Sequence, residues 1–254
     1  MSLASGKTGQ QAVDDFHALK FQGQALKAWR KPILRQYFHQ KLLWRAQEEE
    51  QTASYELFLD LVYVGIIAIS GDNAAEEANG EALLRFSITF VMGWKIWFDL
   101  VELMNWFDQD DIWRRVFVLF HIACLVGFTT NIAQYDATTY APLVSFYLAA
   151  RLATALHFFW TAWLIPMVKW AMILNAIAVI LPCAFWVGSI HVDEPDRLAL
   201  IWIGLFFDVF GNMLNMIIRQ LAEQVDIGST WTSEAFAFFP ATNIEHRIDR
   251  QGAL

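Results

Sequence analysis

Charged residues are scarce in this chain. Asp, Glu, Lys and Arg form only 17% of its 254 residues, whereas a soluble domain carries about a quarter. Hydrophobic residues form 56% and fall in runs of roughly 17 to 25, the length that crosses about 30 Å of hydrocarbon at about 1.5 Å per residue. This pattern disfavours a soluble all-α protein with a large core. It predicts an all-α, polytopic bundle of transmembrane helices.

Basic charge and cysteine are also sparse. The formal net charge is −8, so the chain has no broad basic face, and we expect no nucleic-acid partner. The two cysteines, Cys124 and Cys183, lie in separate apolar runs. We expect them to act as small packing residues and not as a disulfide.

Motifs of recognisable chemistry are missing as well. The chain has no zinc-finger spacing, Walker A loop, glycine-rich dinucleotide turn, nucleophile elbow or HExxH sequence. We therefore expect no catalytic residue, no metal site, no cofactor and no enzymatic activity. The first 50 residues lack the apolar core of a cleavable signal peptide, so the first membrane helix is expected to serve as the targeting signal.

The apolar runs divide the chain into a basic segment (1–54), a transmembrane domain (55–219) and a tail (220–254). Residues 33–45 mix apolar, aromatic and basic positions at helical spacing, which predicts a helix in the headgroup layer or, equally, a solvated helix packed on the protein. Thr242 and Glu245 fit a capping box, which predicts a seventh helix truncated at Leu254. Six spanning helices are predicted at 55–73, 82–104, 116–134, 141–164, 167–190 and 198–219.

Lysine and arginine are distributed unevenly between the two ends of these helices. Several precede the first helix, and Arg114, Arg115 and Lys169 fall on the same side, together with the arginines of the tail. The opposite side has only Arg197 and, in an outer helical turn, Arg85. By the positive-inside rule, both termini of this multi-pass protein are predicted to be cytosolic.

Ionisable side chains at membrane depth are the candidate functional residues. Each costs about 2.5–3.5 kcal/mol at the centre of a span, so each needs a partner or a function. The predicted topology places most of them in the inner half of the bilayer. Lys95 and Asp99 can pair at i, i+4, and Asp208 begins a polar stripe on the sixth helix. The candidates for a buried polar or transport site are Asp60, Lys95, Asp99, His121, Arg151, His157, Asp208 and Asn212.

Two interpretations of this charged layer are open. Three carboxylates face two fixed cations, Lys95 and Arg151; protonating a histidine or a carboxylate could meet the imbalance, as proton-coupled transport requires. Alternatively, the charges form a structural network and the histidines are hydrogen-bonded core residues. A transporter needs a water-accessible cavity at this layer, whereas a structural network is dry and fully paired. Both interpretations predict that Asp60, Asp99 and Arg151 lie close together.

The predicted loop 105–115 is acidic. Asp108, Asp110 and Asp111 have the charge of a divalent-cation site, but the sequence has neither the glycine nor the distal glutamate of an EF-hand. The acids could equally cap the third helix at its positive N-terminal end, while Arg114 and Arg115 meet lipid headgroups.

Three segments resemble one family. Tyr55–Val64 reads YELFLDLVYV, similar to the ELFFDLVFV signature of the low-temperature-requirement A family and its fungal relatives. Trp106–Asp111 resembles the family's RFDxDD element, with Trp106 in place of arginine, and Asn243–Gly252 resembles its HxxERxG element. The order is the family's, and the long basic N-terminal segment is more typical of the fungal type. The motif positions are Glu56, Asp60, Asp108, Asp110, Asp111, Glu245, Arg247 and Arg250.

The resemblance implies a multi-spanning membrane protein, with no implied substrate or catalytic residue. Family members continue into further helices, so the chain is expected to be truncated relative to them. The leading hypothesis is a transporter or channel-like protein with a proton- or ion-linked polar site, surrounded by membrane lipids. The alternative is a structural or regulatory membrane protein for cold growth or membrane homeostasis. An intramembrane enzyme is the weakest class, because no nucleophile and base have recognisable spacing.

Overall fold

The computed structural model describes residues 32–34, 36–39, 42–45, 54–77, 79–108, 111–132, 137–224 and 239–240. Most of this part of the chain is helical, which confirms the predicted all-α fold. The helices are α1 (Ser54–Glu77), α2 (Gly80–Trp106), α3 (Ile112–Ile132), α4 (Ala137–Leu164), α5 (Lys169–Ile190) and α6 (Asp196–Gln224). A 3₁₀ turn, Pro166–Val168, connects α4 to α5.

Two helices, α1 and α6, continue well beyond the predicted apolar segments. α1 continues past residue 73 to Glu77, and α6 continues past residue 219 to Gln224. Hydropathy marks only the part of a helix that suits hydrocarbon, whereas the intrahelical hydrogen bonds continue through polar residues. α2 begins after Asn79, whose side chain caps the helix by accepting a 2.7 Å hydrogen bond from the Ala82 N–H.

In the part of the chain that the structure describes, four helices are long and apolar enough to cross a membrane, which agrees with a multi-pass membrane protein. Their apolar stretches are Leu57–Glu76 in α1, Ile112–Ile132 in α3, Thr139–Leu164 in α4 and Lys169–Ile190 in α5. α2 is equally long but carries Lys95, Asp99 and Glu102 in its apolar part. The prediction of six spans therefore depends on α2 and α6.

The helices pack so that α2, α4 and α6 share a central region. Helices that follow each other in the chain pack together, α1 also packs against α3, and α2 packs against both α4 and α6. Side chains from several helices fill the main core between them. Large apolar side chains point outward, as expected of helices surrounded by lipid. Examples in the core are Met92, Leu100, Leu125, Phe128 and Trp186, and examples on the outer surface are Leu61, Leu119, Leu156 and Trp163.

The predicted helix over residues 33–45 is wrong. The described residues there form short strands, β1 (Ile33–Leu34), β2 (Gln36–His39) and β3 (Leu42–Arg45). β2 and β3 pair antiparallel, with Tyr37 opposite Trp44. Aromatic residues favour strands, and an isolated amphipathic helix of this length is only marginally stable, so cross-strand pairing prevails.

These strands bring three distant parts of the chain to one end of the bundle. β1 pairs with β4 (Phe107–Asp108), which follows α2, and β2 pairs with β5 (Phe239–Pro240) in the tail. The predicted topology likewise places these three segments on one side of the membrane; that this side is cytosolic stays a prediction. We call this end of the bundle the strand end. The predicted seventh helix after Thr242 lies outside the described residues.

Candidate functional site

Four buried charged side chains from three helices form a continuous ion network, which we call the charge quartet. Lys95 and Asp99 lie on α2, Arg151 on α4 and Asp208 on α6. Lys95 Nζ is 2.7 Å from Asp99 Oδ1, Arg151 Nη1 contacts Asp99 Oδ2, and Arg151 Nη2 is 2.6 Å from Asp208 Oδ1. Each of the four residues is 3% exposed or less.

Arg151 is the centre of the charge quartet. Its planar guanidinium presents two nitrogens to two carboxylates, Asp99 on α2 and Asp208 on α6. A guanidinium keeps its proton in proteins, so Arg151 is a permanent positive charge. Arg151 therefore connects α2, α4 and α6 electrostatically.

Two aromatic donors complete the surroundings of Asp208. The Tyr147 hydroxyl donates to Asp208 Oδ2 at 2.6 Å, and Trp186 Nε1 donates to the same oxygen at 2.8 Å. Both carboxylate oxygens thus accept hydrogen bonds, as a buried charge requires. Because Trp186 lies on α5, the network extends to a fourth helix.

The charge quartet holds two cations, Lys95 and Arg151, and two carboxylates, Asp99 and Asp208. The sequence prediction of three carboxylates against two cations counted Asp60 in the same layer. The predicted i, i+4 pair of Lys95 and Asp99 is present, and so is the contact between Asp99 and Arg151.

Asp60 accepts a hydrogen bond from an aromatic side chain of α2. It is buried on α1, and its Oδ1 accepts a 2.7 Å hydrogen bond from Trp97 Nε1 on α2. The Trp97 ring stacks on Tyr63, with 5.3 Å between ring centroids. Asp60 therefore joins α1 to α2 through an aromatic donor that lies between Lys95 and Asp99 in the sequence.

The two histidines lie between the charge quartet and the strand end. His121 Nδ1 donates to the Phe117 carbonyl at 2.9 Å, and His121 Nε2 is 3.0 Å from Thr154 Oγ1. The centroid of the Phe117 ring lies 4.4 Å from that of His121 and 4.8 Å from that of His157. In the part of the chain that the structure describes, Tyr147 and Trp186 donate to the quartet, whereas the bonds of His121 go to Phe117 and Thr154.

The Thr154 hydroxyl has two acceptors within reach. It lies 3.2 Å from the Ala150 carbonyl and 3.0 Å from His121 Nε2. Because His121 Nδ1 donates to the Phe117 carbonyl, Nε2 of the neutral imidazole can accept from the Thr154 hydroxyl. This hydrogen bond joins α3 to α4.

Side chains in and near the turn between α2 and α3 form hydrogen bonds to the backbone at both helix ends. Asp111 Oδ1 accepts a 2.8 Å hydrogen bond from the Arg114 N–H and so caps α3. The buried Arg114 guanidinium donates to the carbonyls of Met104 and Phe107, each at 3.0 Å, at the end of α2. The capping interpretation thus holds for Asp111, whereas the prediction that Arg114 meets headgroups is wrong.

Sequence reasoning missed the neutral donors of this site. Tyr147, Trp186 and Trp97 are uncharged and resemble ordinary apolar core residues in a hydropathy pattern. The one available signal is that Tyr147 precedes Arg151 by four residues and shares its helix face. The side chains of Glu56, Asp108 and Asn212, and all of Asp110, Glu245, Arg247 and Arg250, lie outside what the structure describes.

The long apolar helices and the buried ion network between them define a multi-pass α-helical integral membrane protein. Residues 51–252 match the family model described as bacterial low temperature requirement A protein (LtrA). The chain therefore belongs to the LtrA family. Comparison with curated proteins and with solved structures gives no match.

Proposed function

We propose that this protein carries out proton- or ion-linked transport across a membrane, with the charge quartet as its charged site. The supporting observation is that Lys95, Asp99, Arg151 and Asp208 join three helices while almost fully buried. Buried ion pairs contribute little net stability compared with well-packed apolar residues. Charges at membrane depth are therefore better explained by a function than by packing alone.

Transport by this site would require the quartet to change its charge. Arg151 cannot lose its proton, so the exchangeable protons belong to Lys95 and to the two carboxylates. Protonating Asp99 or Asp208 would weaken its ion pair with Arg151 and allow α2 or α6 to shift relative to α4. The conformation in which all four charges are paired and buried would then be the closed state of the transporter. Membrane lipids and a proton or small ion are the proposed partners, and we propose no catalytic role.

The test is ion flux in liposomes. Purified protein is reconstituted, a pH step is imposed, and proton and cation flux are recorded with dyes. Wild type should conduct, and the doubly neutralised variant Arg151→Gln/Asp208→Asn should fold but lose most of the flux. Glu81→Gln is the matched control, because it removes an exposed ion pair with Arg85 on the same helix as Lys95. Flux that survives in the double variant would contradict the role of the quartet.

A second candidate is a structural or regulatory membrane protein that supports membrane homeostasis or growth in the cold. It is favoured by the burial of all four charges and by the opposite-charge partner of each one, the arrangement expected of a purely structural network. In that case wild type gives no flux above empty liposomes, and the doubly neutralised protein complements a deletion strain as well as wild type does.

A further inference from the structure

The charge quartet is a linear chain in which positive and negative side chains alternate. Lys95 contacts Asp99, Asp99 contacts Arg151, and Arg151 contacts Asp208. Asp99 and Arg151 are the inner members, because each has a partner of opposite charge on both sides, whereas Lys95 and Asp208 are the ends. A buried charge that loses its partner is strongly destabilising. The position of a residue in this chain therefore decides whether that residue can become neutral.

An end of the chain can become neutral without leaving an unpaired charge. A neutral Lys95 leaves Asp99 paired with Arg151, and a neutral Asp208 leaves Arg151 paired with Asp99. Neutralising Asp99 alone would instead leave Lys95 without the carboxylate that it contacts, and Arg151 keeps its proton in proteins. A proton exchanged by the quartet therefore belongs to one of its two ends.

The two ends differ in the bonds that neutralisation would disturb. Asp208 accepts hydrogen bonds from three side chains, Arg151, Tyr147 and Trp186. Hydrogen bonds to a charged group are roughly twice as strong as neutral ones, so a neutral Asp208 would weaken all three. The Lys95 ammonium contacts one carboxylate oxygen, Asp99 Oδ1 at 2.7 Å, and the Phe98 ring centroid is 5.1 Å from its Nζ. Lys95 is therefore the end whose neutralisation disturbs less of the network.

We propose that Lys95 is the residue that carries the proton exchanged by the charge quartet; this assignment rests on the proposed function. The charged groups around Lys95 Nζ are Asp99 and Glu102 on its own helix, Arg151 on α4 and Asp208 on α6. The N–H bond breaks, its electron pair stays on Nζ, and the proton forms an O–H bond at Asp99 Oδ1. Lys95 and Asp99 become neutral together, while Arg151 keeps its ion pair with Asp208.

This transfer connects proton movement to the packing of α2. While Asp99 carries the proton, its ion pair with Arg151 is weakened, so α2 is held to α4 less tightly. When the proton leaves Asp99, the carboxylate pairs with Arg151 again and Lys95 remains as a neutral amine. The cycle closes when Lys95 Nζ takes up a new proton.

The first test is thermal stability, which does not depend on flux. Lys95→Met removes the charge from an unbranched side chain and leaves Asp99 paired with Arg151. We expect Lys95→Met to lower the melting temperature of the detergent-solubilised protein much less than Arg151→Met, which leaves Asp208 without its cation. Lys169→Met is the matched control, because Lys169 is exposed at the start of α5.

The second test is proton flux in liposomes after a pH step. Wild type and Lys169→Met should conduct, whereas folded Lys95→Met should lose most of the flux. In Lys95→Arg a positive charge remains beside Asp99, but a guanidinium does not release its proton. Lys95→Arg should therefore also lose most of the flux, and its residual flux should not vary with pH as the wild-type flux does.

The outcomes separate this assignment from the proposed function. Flux in both wild type and Lys95→Arg would overturn the assignment and leave the proposed function in place. A wild type without flux would reject the proposed function and the assignment with it. If Lys95→Met destabilises the protein as much as Arg151→Met does, Lys95 is a structural partner of Asp99 and the assignment is wrong. If Lys95→Arg does not fold, the flux of folded Lys95→Met decides.

Discussion

At the residue scale, replacing Arg151 alone and replacing it together with a carboxylate partner should affect stability differently. It contacts two carboxylates inside the bundle, and one of them, Asp208, accepts from Arg151, Tyr147 and Trp186. Removing one partner of a buried pair leaves an uncompensated charge, which costs about 3–5 kcal/mol, whereas removing both partners together costs much less.

Arg151→Gln and Asp208→Asn should each lower the free energy of unfolding by about 3–5 kcal/mol, and the double variant should recover part of the loss. Unfolding of the detergent-solubilised protein in a double-mutant cycle measures this coupling. Glu81→Gln, which breaks an exposed pair with Arg85, should cost at most about 1 kcal/mol. If the two single losses simply add, Arg151 and Asp208 are not coupled.

Gly204→Ala should disturb Asp208 through Trp186. A Cβ at Gly204 would lie 3.1 Å from Trp186 Nε1, the atom that donates to Asp208. Displacing this donor should cost about 1.5–3 kcal/mol, the range for hydrogen bonds to charged groups. Gly188→Ala is the control, because its Cβ would meet only Leu200 Cδ1 at 3.5 Å. Equal melting temperatures for the two variants would show that Trp186 adjusts without losing its bond.

At the scale of the helices, hydrogen bonds from Asp111 and Arg114 stabilise the turn between α2 and α3. Asp111 caps the start of α3, and Arg114 reaches back to the carbonyls at the end of α2. Asp111 and Arg114 thereby supply partners for backbone groups that the helices leave unpaired at the end of α2 and the start of α3.

Asp111→Ala should lower the free energy of unfolding by about 1 kcal/mol, because it removes the oxygen that accepts from the Arg114 N–H. Asp111→Asn should retain most of the stability, since asparagine caps about as well as aspartate. Thermal unfolding of the two variants checks this. A loss in Asp111→Asn as large as in Asp111→Ala would assign the effect to the charge and not to the cap.

At the scale of the whole molecule, the membrane topology depends on α2. It carries more charged residues than any other predicted span, but Lys95 pairs with Asp99, and Asp99 pairs also with Arg151 of α4. We therefore propose that α2 crosses the membrane once the later helices have packed against it, and that α6 crosses as well, which gives six spans with the N-terminus in the cytosol.

Cysteine labelling tests this topology against a low background, because native Cys124 and Cys183 are both buried. An impermeant thiol reagent should label a cysteine at Gly80 from the non-cytosolic side and a cysteine at Gln109 from the cytosolic side only. Labelling of both from one side would show that α2 does not span. Exchanged sides would reverse the orientation.

Properties that depend on position along one helix could be predicted from the sequence. Long apolar runs located all six helices to within a few residues, because crossing hydrocarbon requires a continuous hydrogen-bonded segment of apolar side chains. The contact between Lys95 and Asp99 also follows from helical spacing. That the ionisable residues share one layer in the inner half of the bilayer stays a prediction from rise per residue.

The tertiary structure alone decided which side chains meet. Helical periodicity does not give the rotation of one helix relative to another. It could not predict that Asp99 and Asp208 both bond the Arg151 guanidinium. It also could not predict the hydrogen bond from Trp97 to Asp60. Nor could it identify Tyr147 and Trp186 as donors. The strands at 33–45 likewise depend on pairing with residues 107–108 and 239–240. Partners distant in sequence supply these bonds, and local spacing carries no information about them.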